Sequence, residues 1–219
     1  MGLICDKLRP ALSPFLKRSF DLLFSLLFIF IFSPVYLLIT LLIKLTSRGC
    51  VFYVGERLGR GGKVIKIFKF RTMHVNAEES LQDVLEKNPD IRREWEVFRK
   101  IQHDPRCTWV GKFLRKTSFD EFPQFFNVLK GDLSVVGPRP YFVSELCQGR
   151  GSPLKEHAHL ILKVRPGMTG LWQTSGRSRL SYEERVKLDR LYVIQHSFLY
   201  DMCIILKTIP SILFAKGAF

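Results

Sequence analysis

The segment T-S-F-D-E-F-P-Q (117–124) sets two carboxylates, Asp120 and Glu121, side by side just ahead of Pro123. Arg115 and Lys116 precede the pair, and Lys130 and Arg139 follow it. Successive residues on a helix point about 100° apart and do not face each other. The pair is therefore poorly built to share a proton and better built to divide two tasks, one carboxylate attacking and the other holding a metal. A carboxylate can attack phosphorus to give an acyl phosphate. Two anions repel, so that chemistry needs Mg²⁺ and guanidinium groups to neutralise charge. The sequence offers Glu121 or Asp132 for the metal, and Arg115 and Arg139 for phosphate oxygens, which the planar arginine fork can grip in pairs. The plainer reading is an ordinary helix start, with Ser118 and Glu121 as a capping box.

The rest of the composition narrows the partner. The 219 residues carry a formal net charge of +14, which calls for something anionic: nucleic acid, an anionic membrane surface or a phosphorylated substrate. The five cysteines (Cys5, Cys50, Cys107, Cys147, Cys203) are scattered, with no C-x-x-C and no zinc spacing, which suggests a reducing compartment. His157 and His159 would share a face on a strand, but no third ligand lies near them.

Residues 22–43 contain no charged side chain and are long enough to span a bilayer as a straight helix. No small-residue cleavage site follows, so the segment is expected to remain in the mature protein. Ser33-Pro34 sits near its centre, where the proline must kink the helix. Two arrangements compete: a kinked span, or two half-helices of about 11 residues, each about 16 Å long, that enter and leave on one side. Lys7, Arg9, Lys17 and Arg18 lie before the segment and Lys44 and Arg48 after it, so both ends carry the cytoplasmic charge signature and favour the second. Ser33 can satisfy a backbone group freed by Pro34.

The elements that must position the carboxylates follow. Residues 51–54 and 64–70 are β-branched and aromatic and flank a glycine-rich connection, which predicts a hairpin with a long loop. That connection is not a Walker loop, because Arg57 replaces the first glycine and Val64 the Ser or Thr. Residues 77–102 read as one or two charged surface helices broken near Asn88-Pro89. A helix is expected from about Ser118–Phe122 to Gly131, then a short strand over 133–136, then the rigid loop G-P-R-P (137–140). Ser181 and Glu184 form a second capping box that opens a helix to about Gln195. The tail, 204–219, suits either a membrane-surface helix or a packed terminal helix.

In order along the chain, the apolar segment with Ser33-Pro34, K-F-R-T-M (69–73), L-R-K-T-S-F-D-E-F-P-Q (114–124), N-V-L-K-G-D-L-S-V-V-G-P-R-P (127–140) and R-P-G-M-T-G-L-W-Q-T-S-G-R (165–177) resemble the bacterial sugar transferase family, the monotopic phosphoglycosyl transferases. The resemblance covers nearly all of the chain from Lys17 onward. It implies an α+β fold: an N-terminal re-entrant membrane helix broken at Ser33 and Pro34, then a small, mainly helical cytoplasmic catalytic domain with a short β-hairpin. Residues 1–48 would form the membrane region and 49–219 the catalytic domain. It implies transfer of a sugar 1-phosphate from a UDP-sugar to undecaprenyl phosphate at the cytoplasmic face of the inner membrane, with Mg²⁺ and release of UMP. By the same resemblance Asp120 is the nucleophile of a covalent phosphosugar intermediate and Glu121 the metal ligand. Arg115 and Arg139 stand near phosphates, Lys69 and Arg71 serve the anionic site, and Gln173 and Arg177 belong to a nucleotide-sugar loop. The 77–102 insert, the F-R-K-I-Q-H-D-P-R run and L-W-Q-T-S-G-R-S resemble the galactose and glucose 1-phosphate branch. Members of that branch often carry a further N-terminal block of membrane helices; this chain is expected to keep only the catalytic unit. Phe119 and Phe122 replace the usual Leu. The expected partners are the UDP-sugar, undecaprenyl phosphate and membrane lipids; a homodimer stays open.

Three rivals make different demands. A non-catalytic protein that binds anionic lipid at the membrane surface would not need Asp120. A single-displacement transferase would release no UMP without the lipid acceptor. Nucleic-acid binding rests on charge alone and has no recognisable motif here, so no nucleic-acid partner is expected.

Overall fold

The computed structural model describes residues 13–77, 79–98, 101, 104–147, 152–176 and 180–213. Helix α1 (Pro14–Thr46) is 33 residues long and is apolar enough to cross a membrane. It is followed by the antiparallel hairpin β1 (Phe52–Leu58) and β2 (Val64–Phe70). Next come α2 (Ser80–Lys87), α3 (Pro89–Phe98) and α4 (Trp109–Thr117), a 3₁₀ turn (Phe119–Glu121) and α5 (Gln124–Lys130). The chain continues through β3 (Ser134–Val136), α6 (Val143–Cys147), α7 (Pro153–Ile161), β4 (Gly167–Thr169), α8 (Leu171–Ser175), α9 (Tyr182–Gln195) and α10 (Phe198–Leu213).

Helix α1 passes through Ser33-Pro34 as one element instead of parting into two. Pro34 has no N–H to give the Phe30 carbonyl, and Ser33 Oγ donates to that oxygen instead at 2.9 Å. Both ends of α1 rest on the same domain. Near its start, the Arg18 guanidinium donates to the carbonyls of Val128 and Leu129 at the end of α5. Phe28 stacks on Phe125 with centroids 3.9 Å apart, and Phe28 and Phe32 both meet Phe122 edge-on. Toward its end, Ile39 and Ile43 pack with Val51, Phe70, Val110 and Leu114. The opposite side of α1 leaves Leu23, Leu27, Phe30, Leu37, Leu41 and Leu45 exposed, a continuous apolar surface.

The hairpin forms as its β-branched and aromatic runs predict, with Phe52 opposite Phe70 and Leu58 opposite Val64. Asn88-Pro89 separates α2 from α3, and Ser181 caps α9 in a complete box with Glu184. The parallel pair β3–β4, Ser134 beside Gly167 and Val136 beside Thr169, has no counterpart in the sequence reading. His157 and His159 lie on α7, where two-residue spacing turns them to different faces and removes the shared strand face. Ile204 of α10 is buried in the domain core, so at least this turn of the tail is packed.

The last strand residues of K-F-R-T-M lie directly under α4. Thr108 caps α4 by accepting from the Gly111 N–H, and its own N–H donates to the Thr72 carbonyl. A Cβ on Gly111 would stand 1.9 Å from that carbonyl oxygen, so only glycine allows the approach. Gly111→Ala is expected to destabilise the chain by about 3 kcal/mol, the upper range for overpacking against backbone. A thermal melt in detergent checks this; an unshifted midpoint would show that the contact carries no weight.

Candidate active site

Pro123 explains the local fold around the carboxylate pair. Without an N–H it cannot donate to the Phe119 carbonyl, so the chain tightens into a 3₁₀ turn in which the Phe122 N–H takes that acceptor at 3.2 Å. Helix α4 has already ended at Ser118, whose backbone is left-handed (φ 60°, ψ 17°) and whose side chain caps nothing. The capping box expected at Ser118 and Glu121 is therefore absent. The Glu121 N–H bonds to the Ser118 carbonyl instead of its hydroxyl, and the longer helix expected there begins only at Gln124. A left-handed serine costs of order 1 kcal/mol or more, and such strain concentrates at functional sites.

This turn sends the two carboxylates to different environments. Asp120 is buried, while the Glu121 side chain is 42% exposed. Lys69, from β2, reaches both: its Nζ lies 2.7 Å from Glu121 Oε1 and 3.7 Å from Asp120 Oδ2. Burial pushes the Asp120 carboxyl up to about 6. The Glu121 charge adds to the rise, and Lys69 and Arg115 hold it back. Burial by itself would lower the Lys69 ammonium, but the Glu121 and Asp120 charges outweigh it and keep it above its ordinary value. Arg115 is exposed in the last turn of α4, with its Nε donating to Thr72 Oγ1 at 3.0 Å.

Arg139 occupies a neighbouring part of the site. Its backbone N–H donates to Asp189 Oδ2 at 3.0 Å, and the Tyr141 hydroxyl donates to the same oxygen at 2.6 Å. Asp189 is fully buried on α9, and that burial pushes its carboxyl up to about 7 against the pull of Tyr141 and Arg139. The Arg139 guanidinium lies 5.5 Å from the centre of the Trp172 ring, and Arg185 of α9 lies at the same distance from that ring. Gly137, Gly167 and Gly170 let the Arg139 loop and the start of α8 meet backbone to backbone, since a Cβ on Gly170 would stand 2.3 Å from the Gly137 carbonyl oxygen.

The remaining sequence candidates scatter. Arg71 donates to the Ser47 carbonyl and hydroxyl at 3.0 and 2.7 Å, which ties β2 to the end of α1 and not to the carboxylates. Gln173 donates to the Met168 carbonyl at 3.3 Å, and its Oε1 is buried. Arg177 lies outside the described residues. Asp132 pairs with Lys130 and Asn127 at the far end of α5, which leaves Glu121 as the metal candidate beside Asp120. Among the described residues, no three His, Cys, Asp or Glu side chains gather as a metal cage. Ser33 and Pro34 lie within α1.

Sequence reasoning passed over Arg57, noting it only as a mismatch to a glycine motif. Tyr53 pairs with Lys69 across the hairpin, and Arg57 is four residues further along β1, so Arg57 and Lys69 project from the same face. Working out the hairpin register from its two ends would have brought them together.

The fold and the carboxylate site can now be set beside known proteins. Residues 12–215 match the bacterial sugar transferase family, and the chain belongs to it. It is 44% identical over 203 residues to the exopolysaccharide production protein ExoY of Rhizobium meliloti, covering 93% of this chain and 88% of that one. It is 43% identical over 216 residues to the undecaprenyl-phosphate galactose phosphotransferase of Salmonella typhimurium, covering 99% of this chain and 44% of that one. Against the UDP-glucose:undecaprenyl-phosphate glucose-1-phosphate transferase of Escherichia coli it is 38% identical over 209 residues, covering 93% and 41%. The chain thus spans less than half the length of the last two.

Asp120 makes a stability prediction that needs no substrate. Its folded carboxyl titrates near 6 and an unfolded aspartate near 3.9, so the folded chain holds the proton more tightly. Stability should therefore fall as pH rises from about 4 to about 6, with the full cost present above 6. Asp120→Asn removes that cost and should stabilise the protein by about 3 kcal/mol at pH 7, with the gain vanishing near pH 4. Thermal melts at the two pH values check the sign; a destabilised Asn variant at pH 7 would contradict it.

Proposed function

We propose that the protein transfers a sugar 1-phosphate from a UDP-sugar to undecaprenyl phosphate, releasing UMP and starting the assembly of a glycan. One observation carries this reading: the turn bearing the carboxylates is packed on the apolar helix. Phe122 follows Glu121 directly and meets Phe28, Phe32 and Tyr36 of α1, and the Tyr36 hydroxyl donates to the Phe122 carbonyl at 2.6 Å. A nucleophile that must serve both a water-soluble donor and a membrane-held phosphate belongs at such a place. The relatives named for galactose and glucose 1-phosphate transfer support a hexose donor.

The chemistry is a double displacement. An Asp120 carboxylate oxygen attacks the sugar-bearing phosphorus of the donor, and the bond from that phosphorus to the bridging oxygen breaks. The electron pair leaves with UMP. A phosphate oxygen of the lipid then attacks the same phosphorus, and the bond to Asp120 breaks and restores the carboxylate. No proton is gained or lost by Asp120 over the cycle, but it must begin ionised. Lys69 and Arg115 offset negative charge at the reacting phosphate. A Mg²⁺ ion on Glu121 would supply further neutralisation. Mg²⁺ is commonly held by one or two carboxylates together with substrate phosphates and water, and the half-exposed Glu121 beside Asp120 fits so sparse a donor set.

We place the catalytic domain at the cytoplasmic face of the inner membrane, with α1 entering and leaving on that face. The contact of both ends of α1 with one domain and the charges at both ends support this arrangement.

Two measurements test the proposal. UMP release from a panel of UDP-sugars by detergent-purified protein, with Mg²⁺ and undecaprenyl phosphate, is expected to fall at least about a thousandfold in Asp120→Asn, the scale of losing a nucleophile. In the wild type it should rise with pH through about 6 and level off above, because the ionised carboxylate attacks. Release unchanged by the substitution would remove Asp120 as nucleophile. With the other three cysteines replaced, an impermeant thiol reagent should label Cys5 and Cys50 from the same side of the membrane; labelling from opposite sides would rule out the re-entrant arrangement.

A further inference from the structure

Three guanidiniums, those of Arg57, Arg139 and Arg185, gather around two aromatic rings. Arg57 lies 3.5 Å over the Phe142 ring, and Arg139 and Arg185 each lie 5.5 Å from the centre of Trp172. Burial lowers the affinity of Arg57 and of Arg185 for their protons, and in both the Arg139 charge lowers it further, so each of the two feels Arg139. Glu145 acts on both Arg57 and Arg185 and Glu121 on Arg57, but among the described residues no salt bridge joins Arg57 or Arg139 to a carboxylate. Among the described residues the buried Trp172 indole N–H finds no acceptor, which costs stability. Stability does not account for an indole held with its donor unmet beside two mutually repelling cations. An anion seated among the cations does.

Resting on the transferase reading above, we infer that Arg57, Arg139 and Arg185, with the Trp172 ring between the last two, hold the nucleoside-phosphate end of the donor, the part that leaves as a nucleoside monophosphate. Arg57 links this group to the reacting end. It shares a hairpin face with Lys69 and feels the charges of both Glu121 and Arg139. A diphosphate laid along this row would have its sugar-bearing phosphorus near Asp120 and its other phosphate among the guanidiniums. These would stabilise the negative charge that develops on the leaving oxygen as its bond to phosphorus breaks. The lipid phosphate is the less fitting occupant. The core cluster of Leu58, Tyr141 and Val186 contains no residue of α1, whereas the clusters of Ile67 and of Phe70 and Leu114 do. Leu58 and Val186, the chain neighbours of Arg57 and Arg185, thus pack where α1 does not reach, which suits a soluble nucleotide better than a membrane-held phosphate.

The test is direct binding of UMP to the detergent-purified full chain, with inorganic phosphate as the comparison ligand. Arg57→Ala and Arg185→Ala are each expected to weaken UMP binding about tenfold, the scale of one charged hydrogen-bonding group. Asp120→Asn should bind UMP at least as well as wild type. In turnover, the two arginine variants should raise KM for the UDP-sugar about tenfold and leave KM for undecaprenyl phosphate unchanged. If either alanine variant fails to fold, Arg57→Lys and Arg185→Lys keep the charge but not the two-oxygen fork, and a smaller loss in the same direction is expected. Undiminished UMP affinity in these variants, inorganic phosphate competing as well as UMP, no UMP binding by the wild type at millimolar concentration, or a rise confined to KM for the lipid would each overturn the inference. The binding arm does not depend on Asp120, so it can succeed where the covalent mechanism fails, and the reverse.

Discussion

Taking the Asp120 carboxylate out of water beside the Lys69 ammonium is the constraint on which the rest of the structure depends. A buried carboxylate is costly unless a cation and fixed dipoles surround it. Here the cation is supplied by β2, which must be held in register with β1 and pressed under α4. The carboxylate is supplied by a 3₁₀ turn that exists because α4 stops at a left-handed Ser118 and α5 cannot begin before Pro123. Arg115 is hung from the hydroxyl of Thr72, the residue whose carbonyl requires Gly111. The compensation is incomplete, since Asp120 remains well above the ordinary aspartate range. A carboxylate that is ionised at neutral pH yet poorly solvated is a better nucleophile than one in water.

The membrane helix takes part in the site as more than an anchor. Lys17, near its start, donates to the Val136 carbonyl at 3.0 Å and pairs with Asp201 at 2.6 Å. Tyr192 donates to the same carbonyl and to the same carboxylate group. Asp21 accepts from Ser134 and from the Val135 N–H. Val136 is the last residue before Gly137-Pro138-Arg139, so the start of α1 fixes the strand that carries the arginine loop, while its later turns carry the Phe119–Phe122 turn. A shift of α1 in the bilayer would be felt at both ends of the site.

Much of this was legible in the sequence where a local rule decides the outcome. The hairpin followed from β-branched and aromatic runs, the α2–α3 break from Asn88-Pro89, and α9 from its capping box. The identical Ser-x-x-Glu pattern misled at Ser118, because Pro123 breaks the ladder five residues on and α4 arrives from the other side. The β3–β4 pair was illegible: three residues each carry too little pattern, and their pairing is long-range. Among the site residues, Lys69, Asp120, Glu121 and Arg115 gather as one group, with Arg139 beyond them. Arg71 is drawn to Ser47 by a hydrogen bond no sequence rule foresees. Arg57, Trp172 and Arg185 emerge only when three distant elements are brought together in space.

The most direct test of the central claim is the intact mass of the purified protein incubated with its UDP-sugar and Mg²⁺ in the absence of lipid acceptor. A double displacement predicts a mass increase of one sugar phosphate, located on the peptide that contains Asp120 and discharged when undecaprenyl phosphate is added. An unmodified protein that turns over once the lipid is present would rule out the covalent intermediate and favour a single displacement.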